Sequence, residues 1–187
     1  MNKVFIFIAE GFEEIEAVTI IDVLRRAQIQ VIIVSVTGNL FVKGAHQIEL
    51  KADHLFKNND YSSGEMIILP GGMPGTKNLD QHEGLKLEIL DYRKADKYVA
   101  AICAAPMVLG NLEILNGKNA VCYPGFEKYL TGAILDIVPY LVDDKIITGR
   151  GVGAALLFSL EIVRIFKGEE LANQLGKAML VNDQYFH

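Results

Sequence analysis

The sequence predicts a doubly wound α/β domain, a mostly parallel sheet with helices on both faces and a small added hairpin. Three observations predict it. Short apolar runs rich in β-branched residues recur along the chain, as strands buried on both faces do. Helical patterns alternate with them, so the chain opens strand–helix–strand, which favours a right-handed parallel crossover. The 187 residues, 51% hydrophobic and 22% charged, are enough for one full core, read as a single domain over 1–187.

Residues 1–9 form the first strand, broken at Gly11. From about Glu13 to Ala27 the residues Ile15, Val18, Ile21 and Leu24 recur at helical spacing, with Ala17, Ile20 and Ala27 widening the face. Glu13, Glu14 and Glu16 crowd the first turn and Arg25 and Arg26 the last, in the order the helix dipole favours. Residues 31–36 predict a second strand. Residues 40–43 and 47–51, split by Gly44, predict a hairpin, and 58–64 a polar loop. A strand over 66–69 runs into Pro70-Gly71-Gly72-Met73-Pro74-Gly75. A helix over 83–94 and a strand over 98–102 follow. After Cys103-Ala104-Ala105, Pro106 suits the first position of a helix reaching about residue 115. Residues 121–123 and 145–148 read as strands, and 153–166 and 169–179 as helices. No repeat or linker interrupts this flavodoxin-like pattern. Ligands of such sheets bind at the carboxyl ends of strands, and the junctions 9–16, 70–75 and 103–106 all leave that edge.

Composition narrows the function. Eighteen basic against twenty-three acidic residues give −5, so the domain-wide basic footprint of a nucleic-acid binder is missing. Two cysteines are too few for a disulfide framework or a cysteine-rich zinc site. The first apolar run is too short for a signal peptide or a membrane span. The expectations are a cytoplasmic address and no membrane, metal or cofactor. The run from Gly149 to Ala154 fits G-x-G-x-x-A, but it has no second βαβ unit and no later acidic strand end; close packing at the sheet edge explains it better.

Cys103 stands where a strand meets a helix, the geometry of a nucleophile elbow. The unpaired amides of the helix start are expected to lower its pKa and favour the thiolate. Small neighbours Ala101, Ala104 and Ala105 leave room for a substrate. The competing reading is a small residue filling a tight turn, and for Glu16 a helix-start carboxylate. Cys122 reads as a buried strand residue, with a redox partnership to Cys103 as the alternative.

Three strings resemble the signatures of the ThiJ/PfpI superfamily in order and spacing: Glu10-Gly11-Phe12-Glu13-Glu14-Ile15-Glu16, Leu69-Pro70-Gly71-Gly72-Met73-Pro74-Gly75 and Ala101-Ile102-Cys103-Ala104-Ala105-Pro106. The chain is most similar to the ThiJ/YajL branch, which includes the human parkinsonism-associated deglycase. The resemblance implies that Cys103 is the reactive cysteine and Glu16 the carboxyl that hydrogen-bonds it. It implies that the amides of Gly72 and Ala104 form an oxyanion hole. Burial beside a thiolate should make Glu16 hold its proton longer than in water.

The sequence also departs from that pattern. None of the four histidines, His46, His54, His82 and His187, is next to the cysteine in sequence, and Ala104 stands where the peptidase branch has histidine. No His-x-Glu closes an amidotransferase site, and peptidase or thiazole-biosynthesis roles have only the family name behind them. Where the deglycase branch has a site histidine this chain has Tyr123. His46 aligns with an arginine that relatives bring from a partner chain, so the resemblance implies a homodimer with His46 as a polar contact across it; a solvent-exposed hairpin histidine is the alternative. Three functions follow: cysteine-dependent, glyoxalase- or deglycase-like chemistry on a small carbonyl substrate; redox sensing through oxidation of Cys103; and a non-catalytic scaffold.

Overall fold

The computed structural model describes residues 2–58 and 60–181; Met1, Asn59 and 182–187, with His187 among them, lie outside the described residues. In chain order the elements are β1 (Lys3–Ile8), α1 (Glu14–Arg26), β2 (Gln30–Ser35), β3 (Phe41–Lys43), β4 (Glu49–Lys51), β5 (His54–Leu55), β6 (Met66–Leu69), α2 (Gly75–Asp80), α3 (Glu83–Lys94), β7 (Tyr98–Ile102), α4 (Pro106–Asn111), β8 (Asn119–Ala120), β9 (Ile134–Leu135), β10 (Tyr140–Asp143), β11 (Ile146–Gly149), α5 (Ala155–Lys167) and α6 (Glu169–Ala178).

Seven strands form the main sheet in the order β10-β11-β7-β6-β1-β2-β5. All neighbours are parallel except β10, which runs antiparallel to β11. The period of two along each strand divides its side chains between two cores. Val4, Ile6 and Ile8 join Met66, Ile68, Ala100 and Ile102 beneath α1 and α5. Phe5, Phe7 and Ala9 join Ile67, Leu69, Val99 and Ala101 beneath α3 and α4. β1 pairs with β2 on one side and β6 on the other, so strand order reverses beside β1. The carboxyl ends of β1, β6, β7 and β11 flank that point, where doubly wound sheets place their ligands.

The expected hairpin is β3–β4, with Val42 opposite Leu50. It is tied to the β1–α1 loop: Gly11 N donates to Lys43 O at 2.8 Å and Ala45 N to Phe12 O at 2.8 Å.

Several expectations need correction. The buried face of α1 is Ala17, Ile20, Ile21 and Leu24, while Ile15 and Val18 are 57% and 47% exposed. Steps of three residues turn about 300° at about 100° each, so Ile15 stands opposite Leu24 on the helix. No strand forms over 121–123; the short strand is β8, at Asn119–Ala120. α4 stops at Asn111, short of residue 115. Gly149 is not at the sheet edge, because β10 lies outside β11. Its close packing is confirmed, since an added Cβ would stand 2.8 Å from both Ile102 and Phe158. Among the described residues no helix is long and apolar enough to cross a membrane.

Candidate active site

Cys103 follows β7 directly and has φ 66°, in the left-handed region that costs an ordinary residue about 1–2 kcal/mol. Both sides of its backbone are held. Cys103 N donates to Gly149 O at 2.9 Å, and Tyr123 N donates to Cys103 O at 2.7 Å. The expected elbow is therefore present, with the side chain half-buried at the carboxyl end of the sheet.

Glu16 is fully buried on the first turn of α1. Its Oε2 accepts a hydrogen bond from Gly71 N at 2.8 Å, while Oε1 is buried with no hydrogen-bond partner. The Cys103 thiol and this carboxyl stand side by side and perturb each other strongly. Gly71 makes the approach possible: a Cβ there would lie 2.6 Å from Cys103 Cβ and 2.8 Å from Glu16 Oε2. The amides of Gly72 and Ala104 face the Cys103 sulfur closely enough to favour its charged form, so the two expected oxyanion donors lie beside the reactive atom.

Burial pushes the Glu16 carboxyl up to about 7; the Cys103 and Gly71 contacts oppose this and the Glu13 charge adds to it. Burial, then the Glu16 charge, push the Cys103 thiol up to about 12 against the Ala104 and Gly72 amides. This corrects the expected lowering of the thiol pKa. Desolvation and a carboxylate neighbour outweigh the amides. Above about pH 7 the pair carries one negative charge.

A profile of the DJ-1/PfpI family matches residues 2–165. The chain belongs to that family. It is 37% identical over 180 residues to Protein DJ-1 homolog B of Arabidopsis thaliana, covering 96% of this chain and 41% of the relative. The chain thus spans less than half the length of the two Arabidopsis relatives, 41% and 46%. It is 27% identical to the glutathione-independent glyoxalase DJ-1 of Schizosaccharomyces pombe, covering 96% and 98% of the two chains. Its fold matches that of oxidized DJ-1 from Toxoplasma gondii with a TM-score of 0.92 at 32% identity, covering 96% and 98%.

The remaining expected site residues of this DJ-1/PfpI chain fall in two places. Tyr123 is 49% exposed and lies beside Gly151, where an added Cβ would be 3.3 Å from the Tyr123 ring and 4.0 Å from Cys103 Sγ. It borders a cleft of about 620 Å³ whose wall includes Ile137, Pro139, Arg150 and Val152. The local sequence marked Gly149 to Ala154 as glycine-rich, but Arg150 gave no sign of lining a cleft, because the facing wall, Tyr123, Pro124, Ile137 and Pro139, comes from distant segments.

His46 sits in a second cluster. Its Nδ1 is 2.9 Å from Glu14 Oε2 and 3.7 Å from Glu13 Oε2, and its backbone N donates to Glu14 Oε1 at 2.7 Å. The hydrogen bond to Glu14 raises the His46 pKa. Although burial opposes it, the contact with His46, together with backbone donors, holds the Glu14 carboxyl below its usual value. Glu13, Glu14 and His46 bring three potential metal-ligand atoms within 4.8 Å of one another, a grouping the sequence did not reveal. Glu14 already accepts from the backbone of His46 and Ile48, so the cluster clasps the hairpin onto α1. Cys122 is buried in the core opposite the one Cys103 packs against, which speaks against a redox pairing of the two.

Proposed function

We propose that this protein is a cofactor-independent enzyme acting on reactive carbonyls such as methylglyoxal, with Cys103 as nucleophile and Glu16 as proton carrier. One observation carries the reading. A buried carboxyl poised near neutrality, with one unpaired oxygen, stands against a thiol that two backbone amides also address. The name of the S. pombe relative supports the same class of chemistry.

The Cys103 sulfur adds to the aldehyde carbon as Glu16 takes the thiol proton and delivers it to the carbonyl oxygen, giving a hemithioacetal. The Gly72 and Ala104 amides stabilise charge on that oxygen. Glu16 then removes the proton on C1 and returns one to C2, while the hydroxyl proton on O1 passes to O2, leaving a lactate thioester. Water cleaves the thioester, releases lactate and restores the thiol. The sum is methylglyoxal plus water to lactate, with no external oxidant. The test is lactate formation without glutathione. Wild type produces it, Cys103→Ser produces none, and Glu16→Gln loses at least about a hundredfold in kcat/KM.

A second reading rests on the same amides and the unpaired Glu16 oxygen. Two equivalents of peroxide would convert the Cys103 thiol to a sulfinate with release of two waters, and a protonated Glu16 could donate to it. A gain of two oxygens confined to Cys103, with Cys122 unmodified, supports it in intact-mass and peptide measurements. Oxidation spread over both cysteines opposes it.

We further infer a cytoplasmic homodimer. Exposed Ile15, Val18 and Phe41 offer it an apolar seam, and His46 stands on the same hairpin as Phe41. If His46 acts across the seam, His46→Ala lowers activity and shifts the Cys103 titration; unchanged values would remove that role.

A further inference from the structure

Methylglyoxal is far smaller than the space beside the thiol. The cleft next to Cys103 holds about 620 Å³, within the range of pockets that enclose ligands of drug size. Gly151 stands between the two: it lines the cleft, and a Cβ built on it would lie 3.3 Å from the Tyr123 ring and 4.0 Å from Cys103 Sγ. The walls are mostly apolar, from Ile137, Pro139, Val152 and Leu157, with the Tyr123 ring at one side. Among the described residues, Arg150 is the single charged one in the wall. Its guanidinium donates to the Ile137 carbonyl at 2.7 Å and pairs with no carboxylate among the described residues. Its backbone is fixed as well, through Arg150 N to Pro139 O at 2.9 Å. Fixed in this way, the guanidinium keeps donors free for an incoming anion.

We infer that this cleft is the substrate subsite of the proposed enzyme, and that it selects an aldehyde carrying an apolar body that ends in a carboxylate. The inference rests on the carbonyl chemistry proposed above for Cys103. The aldehyde carbon reaches the sulfur past Gly151, the body lies along Ile137, Pro139 and Val152, and the carboxylate meets Arg150. The apolar walls provide affinity, and Arg150 provides the choice between anionic and neutral substrates.

The test does not require turnover. 4-Formylbenzoate and its neutral counterpart 4-methylbenzaldehyde are used to protect Cys103 from alkylation by iodoacetamide, read by peptide mass. In the wild type 4-formylbenzoate protects at a concentration about tenfold lower than 4-methylbenzaldehyde. Arg150→Met brings the two concentrations together. Ile137→Ser removes part of the apolar wall, and it weakens protection by both aldehydes. Equal protection by the two aldehydes in the wild type, or a preference that survives Arg150→Met, overturns the proposal even if methylglyoxal is turned over. The expected preference in a protein that makes no lactate upholds the subsite and rejects the reaction instead.

Discussion

At Cys103 the chain accepts a left-handed backbone because hydrogen bonds from β11 and from Tyr123 fix it on both sides. That turn lifts the sulfur out of the sheet and into the reach of Glu16. Gly71 keeps the two side chains together, so Gly71→Ala is expected to separate them. It should lower kcat/KM by at least about tenfold, with a stability loss of about 1–3 kcal/mol by urea unfolding. Cys103 and Glu16 were legible in the sequence through three motifs, each at a strand-to-helix junction. The state of the thiol was not. A helix start seen in sequence suggests an ionised sulfur, whereas burial and the Glu16 charge, which exist only in the folded chain, push the proton back onto it.

At the scale of the elements, the strand Met66–Leu69, the helix Glu83–Lys94 and the strand Tyr98–Ile102 coincide with the sequence reading. Each is a strongly patterned run bounded by turn or polar residues. The two-residue strands β5, β8 and β9 carry too little pattern to be read, and β10 is half-buried along its whole length. α1 was read as a helix with Ala17, Ile20, Ile21, Leu24 and Ala27 on its buried face, as found, but Ile15 and Val18 fall on the exposed side, because its apolar residues cover more than one face. The correction yields a prediction. Ile20→Ala, at a fully buried position, should cost about 2–5 kcal/mol in urea unfolding. Ile15→Glu, on the exposed side, should leave the secondary structure unchanged by circular dichroism and convert the inferred dimer to a monomer by light scattering. The hairpin clasp yields another: the His46 pKa, followed by NMR, should lie above 6.5 and fall toward that value in Glu14→Gln.

Over the whole molecule, the buried Glu16 sets a conflict between stability and chemistry. Its pKa rises from 4.5 in the unfolded chain to about 7 in the fold, so its contribution to stability is complete below 4.5 and is lost as pH rises through about 7. Glu16→Gln removes that loss. The variant should gain on wild type between pH 4.5 and about 7, reaching on the order of 3 kcal/mol by pH 8 in urea unfolding at fixed protein concentration. The cleft beside the thiol belongs to this scale too. Its walls come from residues 123–124, 137–139 and 150–157, brought together only by the fold. The rate of Cys103 alkylation by iodoacetamide across pH tests the coupled pair most directly. The wild-type rate should rise through about pH 7, as Glu16 becomes able to take the thiol proton. In Glu16→Gln that rise should vanish and the remaining inflection move down from about 12 toward the ordinary thiol value of 9. A rise near pH 7 or below that persists unchanged in Glu16→Gln would mean a thiolate independent of the carboxyl, and would contradict the account.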